Sequence, residues 1–474
     1  MRRVDLALLG LLSVAGCGTA EETQAPDETS DVDERRDSES GQFLRDGKTD
    51  SNGVEERSWS AQCVLNVANE ATLEQLDDDM SLWSFAAQNI VDGRPYGTIE
   101  EVDDVSWVGP YAFWQMEAFA EKNELCPGLG EEYPPAGEVD AILAVTQASV
   151  DHVNKKWGEG ERPSRRDAHP KAHGCVKAFF EVEHEADVPE SMKVGVFAEE
   201  GTRYPAWIRF SNGSFTISPD PEGDIRGMAI KLMQVPGDKV LEAEKDAPTQ
   251  DFLLINTPVL MVRNAIDYVE FSQKAFDGNP VSFFFDLNPL EWNMRELWIT
   301  ISTLGKDIAS PLLSRYWSTT PYQLGDAHAV KYSARPCGGE SDEEPKDAGD
   351  NYLSEVLADH LAENEACFEF LVQVQTDAEE MPIEDPSLEW DDDDSPYLKV
   401  ATIKIPSQTF LGDAQKDFCE HLSYNPWHTL PEHTPLGGIN RTRKVVYDAI
   451  SALRHGYNEQ PRIEPNSHEI PALD

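Results

Sequence analysis

The sequence predicts an α+β protein in which a helical N-terminal region precedes an antiparallel β-barrel with helices packed outside it. Between residues 59 and about 132, apolar residues recur at spacings of three and four, which indicates helices. From residue 176 onward, short apolar runs bounded by Gly, Pro or Asp recur regularly, which is typical of antiparallel strands. With 474 residues, the chain is long enough to bury a large core.

Residues 1–16 have the pattern of a bacterial export signal. Arg2 and Arg3 precede an apolar run that is too short to span a bilayer. The run ends in Val-Ala-Gly before Cys17, which resembles a lipobox and predicts lipidation of the Cys17 thiol; a plain cleaved signal is the alternative. We therefore expect an exported lipoprotein that is held on a membrane by its lipid alone and faces the periplasm or the cell surface.

The next segment, residues 17–58, is expected to be a flexible tether. Residues 18–58 carry 13 acidic and 5 basic side chains with a single aromatic residue, Phe43, so they cannot bury enough apolar area to offset the entropy of ordering. The whole chain has 88 acidic and 39 basic residues and a formal charge of -49. Such a surface repels phosphate backbones and excludes nucleic acid as a partner.

The rest of the chain divides into a helical extension over 59–135, a barrel domain over 136–456 and a tail over 457–474. A long helix is predicted over 139–157. Strands are predicted at 176–182, 206–210, 227–233, 251–255, 329–332, 366–374 and 400–405. The four aspartates of 391–394 are interpreted as a solvated turn between strands.

A helix near the C-terminus carries the most informative spacing in the chain. It places Arg443 one turn before Tyr447 and Arg454 about two turns after it, on one face. A guanidinium one turn away favours the phenolate over the phenol, whose ordinary pKa is about 10. A phenolate on a rigid helix suits ferric haem, although an ordinary amphipathic helix with a half-buried Tyr has the same pattern.

Six cysteines follow the predicted lipidation site. In an oxidising compartment they allow up to three disulfides, in any of 15 pairings. The absence of a CxxC or Cys/His array in the sequence argues against a zinc site. The six are Cys63, Cys126, Cys175, Cys337, Cys367 and Cys419.

Four segments in order resemble motifs of the haem catalases and their catalase-like relatives. Residues 166–171 fit a distal Arg-x-x-His-x-Lys motif, and 209–211 fit Arg-Phe-Ser. Residues 226–232 and 251–258 are similar to the family's following strand and to its Asn-Thr-Pro turn, and the helix with Tyr447 fits its proximal helix. The resemblance covers roughly residues 140–455 and implies a catalase-like fold that binds haem b.

The resemblance assigns a role to each matching residue. Tyr447 would ligate the iron while Arg443 holds it as phenolate, and His169 would act as the acid–base group over the distal face. An imidazole with an ordinary pKa of about 6.5 suits that task. Ser211 would orient His169, and Tyr268 would lie over the haem plane. The propionates would be bound by Arg166, Arg209 and Arg454.

Each of these roles has a plainer alternative. His173 is a rival for the distal base, and Arg209 could form an ordinary ion pair on a strand. Ser211 and Tyr268 could serve packing alone.

One departure from the family pattern concerns the distal amide. Alignment on Asn-Thr-Pro puts Ile255 where the family has an Asn that polarises peroxide. Asn256 is adjacent but points to the opposite face of an extended chain. The position after the distal Lys171 is also changed, from Gly to Ala172. Losing one preorganised donor costs about two orders of magnitude in rate.

We therefore expect an enzyme that cleaves the O–O bond of hydrogen peroxide or of an organic or lipid hydroperoxide, using an electron donor that the sequence does not identify. Weak catalase activity with peroxidase activity is favoured. The alternatives are rearrangement of fatty-acid hydroperoxides, as in relatives of allene oxide synthase, and a haem-binding or sensing lipoprotein without turnover. The resemblance also implies a homo-oligomer.

Overall fold

An eight-stranded antiparallel barrel lies at the centre of the computed structural model, which describes residues 53–470 except 159, 161, 286–292, 305–307, 342 and 344. Strands pair in the order β4-β3-β2-β1-β9-β8-β7-β5, and β5 closes the barrel by pairing with both β4 and β7. A ninth strand, β6, pairs with β7. The strands are β1 (Ala172–Val182), β2 (Arg203–Asn212), β3 (Arg226–Met233), β4 (Thr249–Ile255), β5 (Tyr316–Trp317), β6 (Tyr322–Leu324), β7 (His328–Pro336), β8 (Ala366–Val374) and β9 (Leu398–Ile405).

Alternating side chains fill the barrel interior. Along β1, Val176, Ala178 and Phe180 are buried in the main core, as expected for one face of a strand. Phe180 packs edge-on to Phe370 with ring centroids 5.1 Å apart, and Phe252 lies 4.9 Å from the same ring. Each such buried ring contributes about 1.5–3 kcal/mol, so this aromatic cluster is a main source of barrel stability.

Helices surround the barrel, and two of them, residues 138–157 and 438–458, pack together beside the candidate site. In chain order the helices are α1 (Trp59–Glu70), α2 (Ser84–Gly93), α3 (Ile99–Asp103), α4 (Pro110–Lys122), α5 (Glu138–Trp157), α6 (Ala265–Phe276), α7 (Met294–Leu304), α8 (Tyr352–Glu363), α9 (Asp413–His421) and α10 (Gly438–Asn458). Val145 and Val153 of α5 pack against Val446 and Ile450 of α10. This apolar seam fixes the rotation of α10 and therefore the direction of its other faces.

The N-terminal helices form a core of their own. Buried side chains of α1, α2 and α4 pack together, and a disulfide joins Cys63 to Cys126. Arg441 of α10 connects this part to the barrel domain through ion pairs with Glu132, Glu138 and Glu384. The domain boundaries proposed from composition remain predictions.

The structure settles part of the cysteine question that the sequence left open. A second disulfide joins Cys337 to Cys367, while Cys175 and Cys419 are buried thiols. Residues 391–394 form an exposed turn between β8 and β9, as predicted. Cys17, the export signal, the tether up to residue 52 and the last four residues of the tail lie outside the described residues. Within the described residues, no helix has the length and apolar character needed to cross a membrane.

Candidate haem-binding site

A cavity of about 860 Å³, counted with its mouth, lies between the outer side of β2–β4, the loop before β1 and helix α10. The loop before β1 contributes Arg166 and His169, and β2 contributes Arg209 and Ser211. The cavity thus collects residues from segments that are far apart in the sequence.

Helix α10 forms one wall of the cavity. Its residues Arg443, Tyr447 and Arg454 all line the cavity, as their helical spacing predicted. Tyr447 is half-buried and belongs to the apolar seam with α5. The Arg443 guanidinium donates to Thr320 Oγ1 at 3.1 Å and to Asn440 Oδ1 at 3.4 Å. In the described part of the chain, the hydrogen bonds of the Arg443 guanidinium thus go to Thr320 and Asn440 and not to the phenol oxygen of Tyr447.

His169 faces the cavity from a strained position in the loop before β1. Its φ is +58°, which is uncommon for a residue other than glycine and is often seen at functional sites. Two hydrogen bonds fix its backbone: its amide donates to the Gly213 carbonyl, and its own carbonyl accepts from Arg209 Nη2 at 2.8 Å. The ring Nδ1 lies 3.0 Å from Ser211 Oγ in a hydrogen bond.

Gly227 of β3 leaves the space that the imidazole of His169 occupies. A methyl group on Gly227 would lie 2.7 Å from His169 Nδ1 and 2.9 Å from Ser211 Oγ. Only a residue without a Cβ therefore lets the ring rest against the strand.

The imidazole of His169 is neutral over the ordinary pH range. Burial, with the nearby charges of Arg209, Arg443 and Arg166, lowers its pKa to about 3. The sequence-based expectation of an ordinary value near 6.5 was therefore wrong, because it ignored both desolvation and the arginines. A neutral imidazole can accept a proton, which is the first half of the predicted acid–base task.

His173 is not in the cavity. Its Nε2 lies 2.7 Å from Asn212 Oδ1, and its other ring nitrogen is 3.8 Å from Asp220. It thus belongs to a buried polar cluster with Asp220 and Lys171, whose ammonium lies 2.7 Å from the same carboxylate. Of the two candidate distal bases, the structure brings only His169 to the cavity.

Two buried arginines, Arg209 and Arg454, and the half-buried Arg166 surround Glu420 at the cavity edge. Glu420 lies 3.2 Å from Arg166 Nη1 and 3.6 Å from Arg209 Nη2, while Arg454 donates to the Glu420 carbonyl. Burial and the charge of Arg209 lower the pKa of Arg166, and burial and Arg166 lower that of Arg454 well below its usual value. The cluster carries three positive charges and one negative charge, so it has a net excess of two.

The residues present fit a haem group. An excess of two positive charges matches the two propionates of haem, and the buried Nε of Arg209 has no hydrogen-bond partner among the described residues. Guanidinium groups bind carboxylates in a bidentate way. Tyr447 offers an oxygen donor on the α10 wall of the same cavity, and His169 lies on another wall. Sequence reasoning did not find Glu420, because no motif or spacing marks it.

Of two further residues singled out in the sequence, Ile255 lines the cavity and Tyr268 does not. Tyr268 of α6 is packed with Tyr447, and burial together with Asp167 and Tyr447 raises its pKa, but it is not among the side chains that line the cavity. Ile255 does line the cavity. Asn256 turns away, as expected, and its Oδ1 accepts from the amide of Arg226 at 2.6 Å.

Comparison with known proteins finds a family match over part of the chain. Residues 147–293 match the family model of catalase, which is 147 of the 474 residues. The matched segment includes Arg166, His169, Arg209, Ser211 and Tyr268, but it ends before α10. The assignment of Tyr447 to the site therefore rests on the geometry of the cavity and on the residue spacing in α10.

Two solved structures are similar to this chain. One is a fungal catalase, with 20% identity and a TM-score of 0.47, covering 68% of this chain and 63% of that one. The other is catalase A from Saccharomyces cerevisiae, with 20% identity and a TM-score of 0.47, covering 68% of this chain and 65% of that one. The chain spans less than two thirds of the length of either catalase. No curated protein sequence matches it significantly.

Proposed function

We propose that the protein binds haem b through Tyr447 and acts on peroxides, with His169 as the acid–base group. The observation that carries this proposal is the convergence of Tyr447, His169 and three arginines on a single cavity. Arg166, Arg209 and Arg454 would hold the two propionates. When bound, haem supplies a Lewis-acidic, redox-active iron at the phenol oxygen.

The chain's own residues would handle the proton of the peroxide. The neutral imidazole of His169 takes a proton from the nearer oxygen of the peroxide and returns it to the departing oxygen, which leaves as water or as an alcohol. Ser211, 3.0 Å from Nδ1, keeps the ring oriented during this transfer. Proton transfer by a positioned side chain typically contributes about 10²–10⁴-fold to the rate.

An apolar wall bears on the choice of substrate. Ile255, at the position where the family has a peroxide-polarising amide, lines the cavity together with Leu253 and Ala229. This favours slow disproportionation of hydrogen peroxide together with reduction of peroxides by an external donor, which is still to be identified. The same wall suits the second candidate, rearrangement of a fatty-acid hydroperoxide, which needs no reductant. A haem-binding lipoprotein without turnover is the third.

Absorption spectra of the haem-supplied protein beside Tyr447→Phe test the cofactor. We expect a high-spin ferric spectrum in the parent that is lost or altered in the variant. A parent protein that takes up no haem would refute both the proposed cofactor and the proposed reaction. His169→Ala separates enzyme from binding protein, because it should lose peroxide turnover while keeping haem; full turnover in that variant would overturn the mechanism.

We further propose that the protein is exported and anchored through lipidated Cys17, and that it assembles as a homo-oligomer. The support for the anchor is the lipobox pattern in the sequence. Expression of the full chain beside Cys17→Ser, followed by membrane fractionation and mass spectrometry of the N-terminal peptide, tests it. Equal recovery of both proteins in the soluble fraction would refute the anchor.

A further inference from the structure

Two thiols lie together in the outer wall of the site. Of the six cysteines in the described residues, four form disulfides, and only Cys175 and Cys419 are free. Both are buried, and both belong to one small core cluster with Trp207, Phe418 and Leu422. Nothing in the proposed chemistry of the cavity uses either of them.

Helix α9 lies against β1 at the position of Cys175. Gln415 of α9 donates through its amide to the Cys175 carbonyl at 2.6 Å. Cys419 follows Gln415 by four residues, so both side chains lie on the helix face that meets β1. One residue earlier, Phe418 packs on Trp207 with ring centroids 5.0 Å apart, which holds the helix against the sheet. The Cys175 and Cys419 side chains therefore lie in one buried cluster, on the two sides of the β1–α9 contact.

We propose that Cys175 and Cys419 are a peroxide-oxidised thiol pair that forms a third disulfide, linking β1 to α9. One thiol attacks an oxygen of the peroxide, the O–O bond breaks, and a sulfenic acid and one molecule of water or alcohol result. The second thiol then displaces the hydroxyl as water and closes the S–S bond. Two sulfur atoms together lose two electrons, and one peroxide gains them. The inference rests on the proposed function only in naming peroxide as the oxidant.

The reaction is expected to be slow compared with that of an exposed thiol. Burial and the neighbouring thiol raise the pKa of Cys175 well above its usual value, and the thiolate is the reactive form. Arg209, which faces Cys175 across the β1–β2 pair, and Arg166 act in the opposite direction. The pair should therefore respond to sustained peroxide rather than to a brief pulse.

Closing the disulfide would act on the arginine cluster. The Cys419 carbonyl lies 3.4 Å from Arg166 Nη2, and the next residue is Glu420, the carboxylate that pairs with Arg166 and Arg209. Drawing Cys419 toward β1 moves the backbone that carries Glu420. Oxidation is therefore expected to change the affinity of the cluster for the carboxylates of a bound cofactor.

Differential alkylation of the full chain tests the pairing. The protein, reduced under conditions that preserve the Cys63–Cys126 and Cys337–Cys367 bonds, is incubated with hydrogen peroxide, denatured in urea, alkylated and digested. We expect the Cys175 and Cys419 thiols to be lost, and a linked peptide containing residues 175 and 419 to appear in the mass spectrum. Recovery of both cysteines as alkylated thiols, or as separate sulfinic acids, overturns the proposal.

Single variants give matched controls. In Cys175→Ala the Cys419 thiol should remain alkylatable after peroxide treatment, and in Cys419→Ala the Cys175 thiol should. The other two disulfides should be unchanged in both variants. A linked peptide that persists in either variant would show a different pairing and would overturn the assignment.

The same samples separate this proposal from the proposed function. Protein without haem is treated with diamide, a thiol oxidant, and haem-supplied protein with hydrogen peroxide. A linked peptide in both, without peroxide turnover, would leave the thiol pair standing and remove the catalytic proposal. Turnover with both thiols still free would remove only the thiol pair. If the pair does control the cluster, haem release from the oxidised and reduced proteins will differ at least twofold, whereas it will be equal in Cys175→Ala.

Discussion

Replacing Gly227 with Ala tests whether the position of the His169 ring against β3 is necessary for peroxide turnover. The added methyl group would lie 2.7 Å from Nδ1, 2.8 Å from Cε1 and 2.9 Å from Ser211 Oγ. Contacting atoms need roughly 3.5 Å, so the ring must move by about 0.8 Å into the cavity. Overpacking of this kind costs about 1–3 kcal/mol of stability. A displacement of about 1 Å at a reacting group can reduce the rate about 10²-fold.

The assay compares Gly227→Ala with Gly174→Ala, which introduces a similar clash elsewhere. A methyl group on Gly174 would lie 2.5 Å from Phe410 Cε2 and 2.9 Å from Leu357 Cδ2, in the core and away from His169. Both variants should lower the melting temperature, but only Gly227→Ala should reduce peroxide turnover at full haem loading and change the haem spectrum. Equal turnover in the two variants would refute the reasoning.

Three further predictions concern the cavity and its charges. Ile255→Asn places an amide on the cavity wall and should raise oxygen release from hydrogen peroxide at least tenfold, since one donor is worth about 10²-fold; Ile255→Leu is the control, and no gain over it would count against the assignment of the wall. Glu420→Gln leaves three clustered guanidinium groups without their carboxylate and should lower the melting temperature of the haem-free protein. Haem should then raise the melting temperature more than in the parent, and an equal rise would contradict the propionate role. Burial holds the pKa values of His169, His173 and His433 at about 3 in the folded chain, against about 6.5 when unfolded. The unfolded chain binds more protons over this interval, so stability should fall as pH drops from about 6.5 toward about 3. Burial raises the pKa of Asp251 to about 6 and opposes this trend, as it does by raising the pKa values of Asp167, Asp224, Glu296 and Glu384. The pKa values of His455, lowered to about 4, and of Glu244, lowered to about 2, act with the three histidines. A melting temperature that is unchanged between about pH 7 and pH 4.5 would contradict the predicted loss of stability.

Strands with a long apolar pattern could be predicted from the sequence, and short ones could not. The segment 366–374 was placed correctly at both ends, and six other strands were found with shortened ends. Tyr316–Trp317 and Tyr322–Leu324 have too few residues for any alternation to be visible. The closing strand of the barrel is therefore a tertiary feature, because only its pairing partners define it.

Site residues within recognisable motifs could be placed, whereas their environment could not. Helical spacing placed Tyr447 and Arg454 on one face, and the alternation of an extended chain separated Ile255 from Asn256. The pKa of His169 and the place of Glu420 depend on side chains more than 200 residues apart that meet only in the folded barrel. No local pattern contains that information.

The start of α10 depends on the N-terminal part of the chain. The amide of Gly437 donates to Glu132 Oε1 at 2.7 Å, and that of Gly438 donates to Glu384 Oε2 at 2.7 Å. These carboxylates thus cap the helix that carries Tyr447 and face the positive end of its dipole. A protein trimmed to begin after Glu132 would lose one cap and one partner of Arg441 at the same time. The helical extension therefore stabilises the start of the helix that carries Tyr447, and a barrel separated from it would lose these contacts.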